Sequence, residues 1–95
     1  MFDRAFFEQH FHEQTRAFAR EHTVASPVVE FLLDDGSLLY VRSLIQTKEN
    51  WLCLLAYDDE ATRQIYCPYY SIKRITLHAH PPKTAPRREL GFQLR

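Results

Sequence analysis

Apolar residues change their period along this chain, and the changes divide it into a helix and a series of strands. Between Asp3 and His22 there is neither Gly nor Pro, and Ala, Glu, Gln and Arg are frequent, which predicts a helix capped by Asp3. Phe7, Phe11 and Phe18, with Thr15 at the intervening turn, form one apolar stripe, and Phe2 and Phe6 widen it to one side. Arg4, Glu8, His12, Glu13, Arg16 and Arg20 make the opposite, mixed-charge face. Ser26 before Pro27 ends the helical pattern, because the residue before proline is pushed toward extended geometry.

Beyond that point the pattern is β-branched and aromatic. Val28 to Leu33 reads as a strand, Asp34-Asp35-Gly36-Ser37 as a tight hairpin turn, and Leu38 to Gln46 as a return strand long enough to bend. After the turn 47–50 comes the densest apolar run of the chain, Trp51-Leu52-Cys53-Leu54-Leu55, continuing through Ala56 and Tyr57 as a strand buried on both faces. An acidic loop over Asp58 to Thr62 precedes a fourth strand, Arg63 to Cys67, stopped by Pro68. Ser71 to His78 is a fifth strand whose alternation slips near Lys73-Arg74, as a bulge would cause. The prediction is a mainly β fold: an N-terminal α-helix over 3–22, then a small, strongly bent, five-stranded antiparallel barrel over 28–78, within one domain over 1–80. Residues 81–95 form a basic, proline-containing C-terminal tail, in which Leu90, Phe92 and Leu94 alternate as in a strand that adds to a neighbour's edge.

Composition narrows the classes. A chain of 95 residues leaves room for one domain, which is often supported by oligomerisation. The formal net charge is zero, which argues against reliance on a strong positive field to capture nucleic acid or acidic membranes. No apolar stretch is long enough to span a bilayer, and Cys53 and Cys67 read as reduced core thiols, so a cytoplasmic protein is expected.

Chemistry-bearing patterns are few. There is no Gly-rich phosphate loop, no nucleophile elbow and no His-Glu-x-x-His helix, so no enzyme and no cofactor are expected. His10 and His12 point apart on a helix, and His78-x-His80 lacks a third ligand, so no metal site is expected. Aromatic residues near cations are the better lead, since single-stranded nucleic acid is held by flat platforms and phosphate contacts. Trp51, Tyr69 and Tyr70 are candidate platforms, Asn50 a base-edge partner, and Lys73 and Arg74 phosphate contacts. Trp51 reads equally well as core, and Tyr69-Tyr70 as packing or subunit interface.

Asp35-Gly36 in the first hairpin, Asn50 to Leu55 as the central strand and Pro68-Tyr69-Tyr70-Ser71-Ile72 before the last strand together resemble the Sm-like family, and within it the bacterial Hfq RNA chaperones. The resemblance covers Val28 to Leu77. It implies a ring-shaped homo-oligomer acting on single-stranded RNA, assembled by pairing the fourth strand of one subunit with the fifth of the next. It also implies roles for Asn50 and Trp51, which stand where Hfq has a glutamine and a phenylalanine that recognise and stack a uridine. The Tyr-Lys-His turn of Hfq is replaced by Pro68, Tyr69 and Tyr70. The Arg-Gly pair of the second Sm motif is absent, as is a glycine between Leu38 and Gln46. The alternative is a protein-interaction or structural SH3-like barrel without nucleic-acid binding.

Overall fold

In the computed structural model, which describes residues 1–94, the chain is helical from Arg4 to His22 and then forms five strands. These are β1 (Val28–Leu33), β2 (Leu38–Thr47), β3 (Trp51–Tyr57), β4 (Thr62–Pro68) and β5 (Ile72–His78), with one 3-10 turn at Tyr69–Ser71. They make one antiparallel sheet in the order β4-β3-β2-β1-β5. The sheet does not close, so the expected barrel is an open one with β4 and β5 as its two edges.

Asp3 caps the helix as its residue type predicts, its Oδ1 accepting from the Phe6 amide at 2.8 Å. The buried stripe is Phe7, Phe11, Thr15 and Ala19; Phe18 lies beside it, half-buried, its ring 4.2 Å from that of His22. A strict step of four overshoots an α-helical turn by roughly 40°. The wider π-helical segment Phe7–Phe11 absorbs part of that drift and keeps the two phenylalanines on one face. Thr15 is buried without penalty because its hydroxyl donates to the Phe11 carbonyl at 2.8 Å. At the C-terminal end Thr23 takes the left-handed conformation (φ 54°), while its amide and that of Val24 bond back to Ala19 and Arg20.

Gly36 (φ +86°) supplies the turn between β1 and β2, and Asp35 Oδ1 accepts from the Ser37 amide and hydroxyl at 2.9 and 2.6 Å. These donors hold the exposed Asp35 carboxyl below the usual aspartate range. β2 makes the bend. Its residues Leu38 to Val41 pair with β1, its later residues pair with β3, and register shifts pass over Arg42 and Ile45. Bulges at these two residues turn the strand without a glycine. The slip expected in the fifth strand is also present: Leu32 faces Arg74 and Leu33 faces Ile72, passing over Lys73.

The concave face of the sheet, with Val29, Phe31, Leu39, Val41, Leu52, Leu54 and Ala56, packs on Phe7 and Phe11 of the helix. Cys53 is buried on the other face of β3, so the central strand is covered on both sides as its composition predicts.

Residues 82–94 contain no helix or strand, yet they pack on the sheet as a strap. The Thr84 and Tyr40 hydroxyls share a 2.5 Å hydrogen bond, Arg88 bonds the Asp58 and Ala61 carbonyls, and the Tyr57 hydroxyl donates to the Gly91 carbonyl at 2.7 Å. Phe92 then enters the core at 0% exposure, 5.2 Å from the Phe11 ring. Its amide donates to Pro27 O and that of Gln93 to Arg42 O, so Phe92 packs within its own chain rather than on a neighbour's edge.

Candidate nucleic-acid interface

The start of β3 and the 3-10 turn meet at one end of the sheet because β3 and β4 pair in register from Trp51↔Pro68 to Tyr57↔Thr62. Three hydrogen bonds lace that end together: Lys48 N to Trp51 O at 2.8 Å, Tyr69 N to Asn50 O at 3.2 Å, and Tyr69 Oη to Lys48 O at 2.7 Å. The structure therefore brings Asn50, Trp51, Tyr69 and Tyr70 together.

Their roles differ. Tyr69 is 5% exposed and its ring stacks on Phe7 at 5.7 Å, so it locks the 3-10 turn to the core. Burial pushes its phenol pKa up. Tyr70 points the other way and is 65% exposed. Asn50 is exposed, and Trp51 is half-buried with one edge against the Tyr66 ring, centroids 5.5 Å apart and planes at 67°. Tyr66 is 62% exposed and its hydroxyl accepts from Gln64 Nε2 at 2.8 Å. The Trp51–Tyr66 pair, with exposed Asn50 next to it in the chain, can stack a flat group and hydrogen-bond its edge.

Tyr66 was not among the sequence candidates. The signal was present in alternation: with Cys67 pointing inward, Tyr66 must point outward. Only the pairing Cys53↔Tyr66 places it next to Trp51. Lys73 and Arg74 are exposed on β5, where Arg74 pairs with Leu32 of β1; in sheet order β1 and β2 stand between that strand and β3.

Electrostatics around the aromatic surface are balanced. Glu8 of the helix receives the Thr47 hydroxyl at 2.7 Å and Arg4 Nε at 3.1 Å, while Arg4 also lies 3.8 Å from Glu49. The Thr47 hydrogen bond, followed by the Arg4 contact, holds the Glu8 carboxyl below the usual glutamate range. Burial, with Arg16 nearby, lowers the His12 pKa.

His78, at the end of β5, and His80, just beyond it, have different surroundings. His78 Nε2 lies 3.2 Å from Glu30 Oε1, which also receives the Tyr40 hydroxyl at 3.4 Å. His80 is exposed. Among the described residues no group of three or more His, Cys, Asp or Glu side chains is arranged to hold a metal ion. Cys53 and Cys67 are free and lie on opposite faces, since Cys67 pairs with the inward Leu52 and Cys53 with the outward Tyr66. No helix among the described residues is long and apolar enough to cross a membrane.

No family model, no curated protein and no solved structure matches the chain.

Proposed function

We propose that this protein is an Sm-like module of the cytoplasm that binds single-stranded RNA as a ring-shaped homo-oligomer. The reading rests on the pairing of half-buried Trp51 with exposed Tyr66, next to the exposed Asn50, at one end of the sheet. Each base stacked on such a ring contributes on the order of 1–3 kcal/mol, so two rings suffice for a weak but real affinity. Asn50 supplies a base-edge partner and Lys48 is a neighbouring exposed cation, while Lys73 and Arg74, exposed on β5, are phosphate contacts for a longer RNA that extends beyond the aromatic pair. The order β4-β3-β2-β1-β5 leaves two seven-residue edges free, and both carry half-buried apolar residues on their inward faces: Ile65 on β4, Ile75 and Leu77 on β5. Antiparallel pairing of β4 with β5 of the next copy would align these inward sets and remove both edges.

Fluorescence polarisation of dye-labelled uridine- or adenine-rich oligonucleotides tests the RNA site. Binding that falls with added salt and is weakened by Trp51→Ala is expected, and no binding at low salt refutes the reading. Light scattering tests the ring, which a strict monomer at high concentration contradicts.

A second reading, a protein-interaction barrel without nucleic-acid binding, is favoured by the zero net charge and by the pairing of Arg4 with Glu8 and Glu49 beside the aromatic surface. It predicts no RNA binding at low salt, is the reading a strict monomer would favour, and has Trp51 and Tyr66 covered by a protein partner.

A further inference from the structure

Where the strap crosses β2 and the end of β3, it leaves an open cleft of about 430 Å³ lined by Ser26, Arg42, Tyr57, Arg88, Glu89 and Gln93 among others. We infer that this cleft binds a phosphoryl group between the guanidinium groups of Arg42 and Arg88. The two arginines are half-buried and reach the cleft from different parts of the chain: Arg42 from the bulge of β2, Arg88 from the strap. Arg88 is held in place by neutral partners, its Nη1 donating to the Asp58 and Ala61 carbonyls at 3.0 and 2.8 Å and its guanidinium lying 5.2 Å from the Tyr57 ring centre. Arg42 also has a neutral partner. With the Gln93 amide turned so that its oxygen faces Arg42, that oxygen accepts from Nε and Nη2 at 3.2 Å.

Among the described residues neither guanidinium lies within ion-pair distance of a carboxylate, whereas Arg4 has Glu8 and Arg63 has Asp58. Both guanidiniums line the same cleft without a carboxylate partner, and an anion seated there would neutralise their charge and take up their remaining N–H donors. A phosphoryl group matches this donor set better than a single carboxylate. It carries up to two charges against two cations and offers oxygens in several directions to two guanidinium forks and the Ser26 hydroxyl. Gly91 keeps the wall close, because a Cβ there would meet Ser26 Cβ at 2.6 Å. Glu89 is the opposing charge at the rim.

The inference does not rest on the RNA reading, since Trp51 and Tyr57 stand at opposite ends of β3, roughly 20 Å apart for a strand of that length. The phosphoryl group has two sources, the backbone of a longer RNA or a free phosphorylated small molecule. Calorimetric titration of the full chain at low salt with inorganic phosphate, with adenosine monophosphate and with a single-stranded oligonucleotide separates them. Phosphate and the mononucleotide are expected to bind, with affinity reduced about tenfold by Arg42→Gln, the loss typical of one charged hydrogen-bonding partner. Glu89→Gln should tighten binding and Trp51→Ala should leave it unchanged. If Arg42→Gln does not fold, Ser26→Glu, which sets a carboxylate against the same guanidiniums from an exposed position, should abolish binding. Oligonucleotide affinity lowered by Arg42→Gln as well identifies RNA backbone as the source; oligonucleotide affinity indifferent to it identifies a small molecule. Absence of phosphate and mononucleotide binding at millimolar concentration, or binding insensitive to both Arg42→Gln and Ser26→Glu, overturns the inference.

Discussion

Phe92→Ala isolates the contribution of the strap to the fold. Phe92 is 0% exposed, sits edge-on to Phe11 at 5.2 Å and lies 5.7 Å from the His12 ring, so the substitution removes a whole ring from a closed environment. Phe→Ala changes in cores cost about 3–5 kcal/mol, from lost transfer free energy and the cavity left behind. For a domain whose total stability is about 5–15 kcal/mol, that is a large share. The cost is shared with the strap's other anchors, because Gly91, the residue before Phe92, accepts the Tyr57 hydroxyl, and the Phe92 and Gln93 amides bond Pro27 and Arg42. Urea unfolding followed by tryptophan fluorescence reads the effect directly: with a slope of about 2 kcal/mol/M, the midpoint should fall by about 2 M. Leu90→Ala, on a half-buried strap residue, should move it much less. A Phe92→Ala midpoint within about 0.3 M of the parent, below the loss expected for any core ring, would refute the strap's place in the core.

Three further outcomes are expected. Thr23→Gly should raise stability by about 0.5–1 kcal/mol, because a β-branched residue in the left-handed region is strained and glycine is not, less the extra freedom glycine gives the unfolded chain; thermal unfolding measures it, and a loss of stability refutes the strain. The Glu8 carboxyl, depressed by Thr47 and Arg4, contributes stability that is present above its unfolded pKa and lost as pH falls through the lower folded one. Thr47→Val should move the Glu8 midpoint in an NMR titration back up, and an unchanged midpoint contradicts the assignment. Cys53 and Cys67 should resist a thiol reagent in the native state and form no disulfide on oxidation, because they point to opposite faces and burial pushes the Cys67 thiol pKa up; rapid native labelling of both would overturn this.

Much of the fold was legible because its signals are local. Asp3 needs only its own oxygen and the amide of Phe6 to start the helix, Gly36 needs only its missing side chain to turn the first hairpin, and Pro68 ends β4 by lacking a donor. The apolar run from Leu52 to Leu55 is dense enough to specify a central strand whatever surrounds it. The candidate site was legible in part. Asn50, Trp51, Tyr69 and Tyr70 do meet at one end of the sheet, but the two adjacent tyrosines face opposite ways, and Tyr66 joins Trp51 through a cross-strand pairing that composition cannot reveal.

The sequence by itself determined the helix, the five strands and the turns between them, because capping, turn chemistry and hydrophobic period act over a few neighbouring residues. Only the tertiary structure decided which residues share a surface. A strap rich in proline and arginine resembles a solvated tail until Phe92 finds a space prepared by Phe11 and Pro27, from residues far away in the chain. Arg42 and Arg88 acquire a common cleft by the same means. Such contacts depend on bulges and strand register, where one skipped residue redirects every side chain that follows, and no local pattern encodes the partner it will meet.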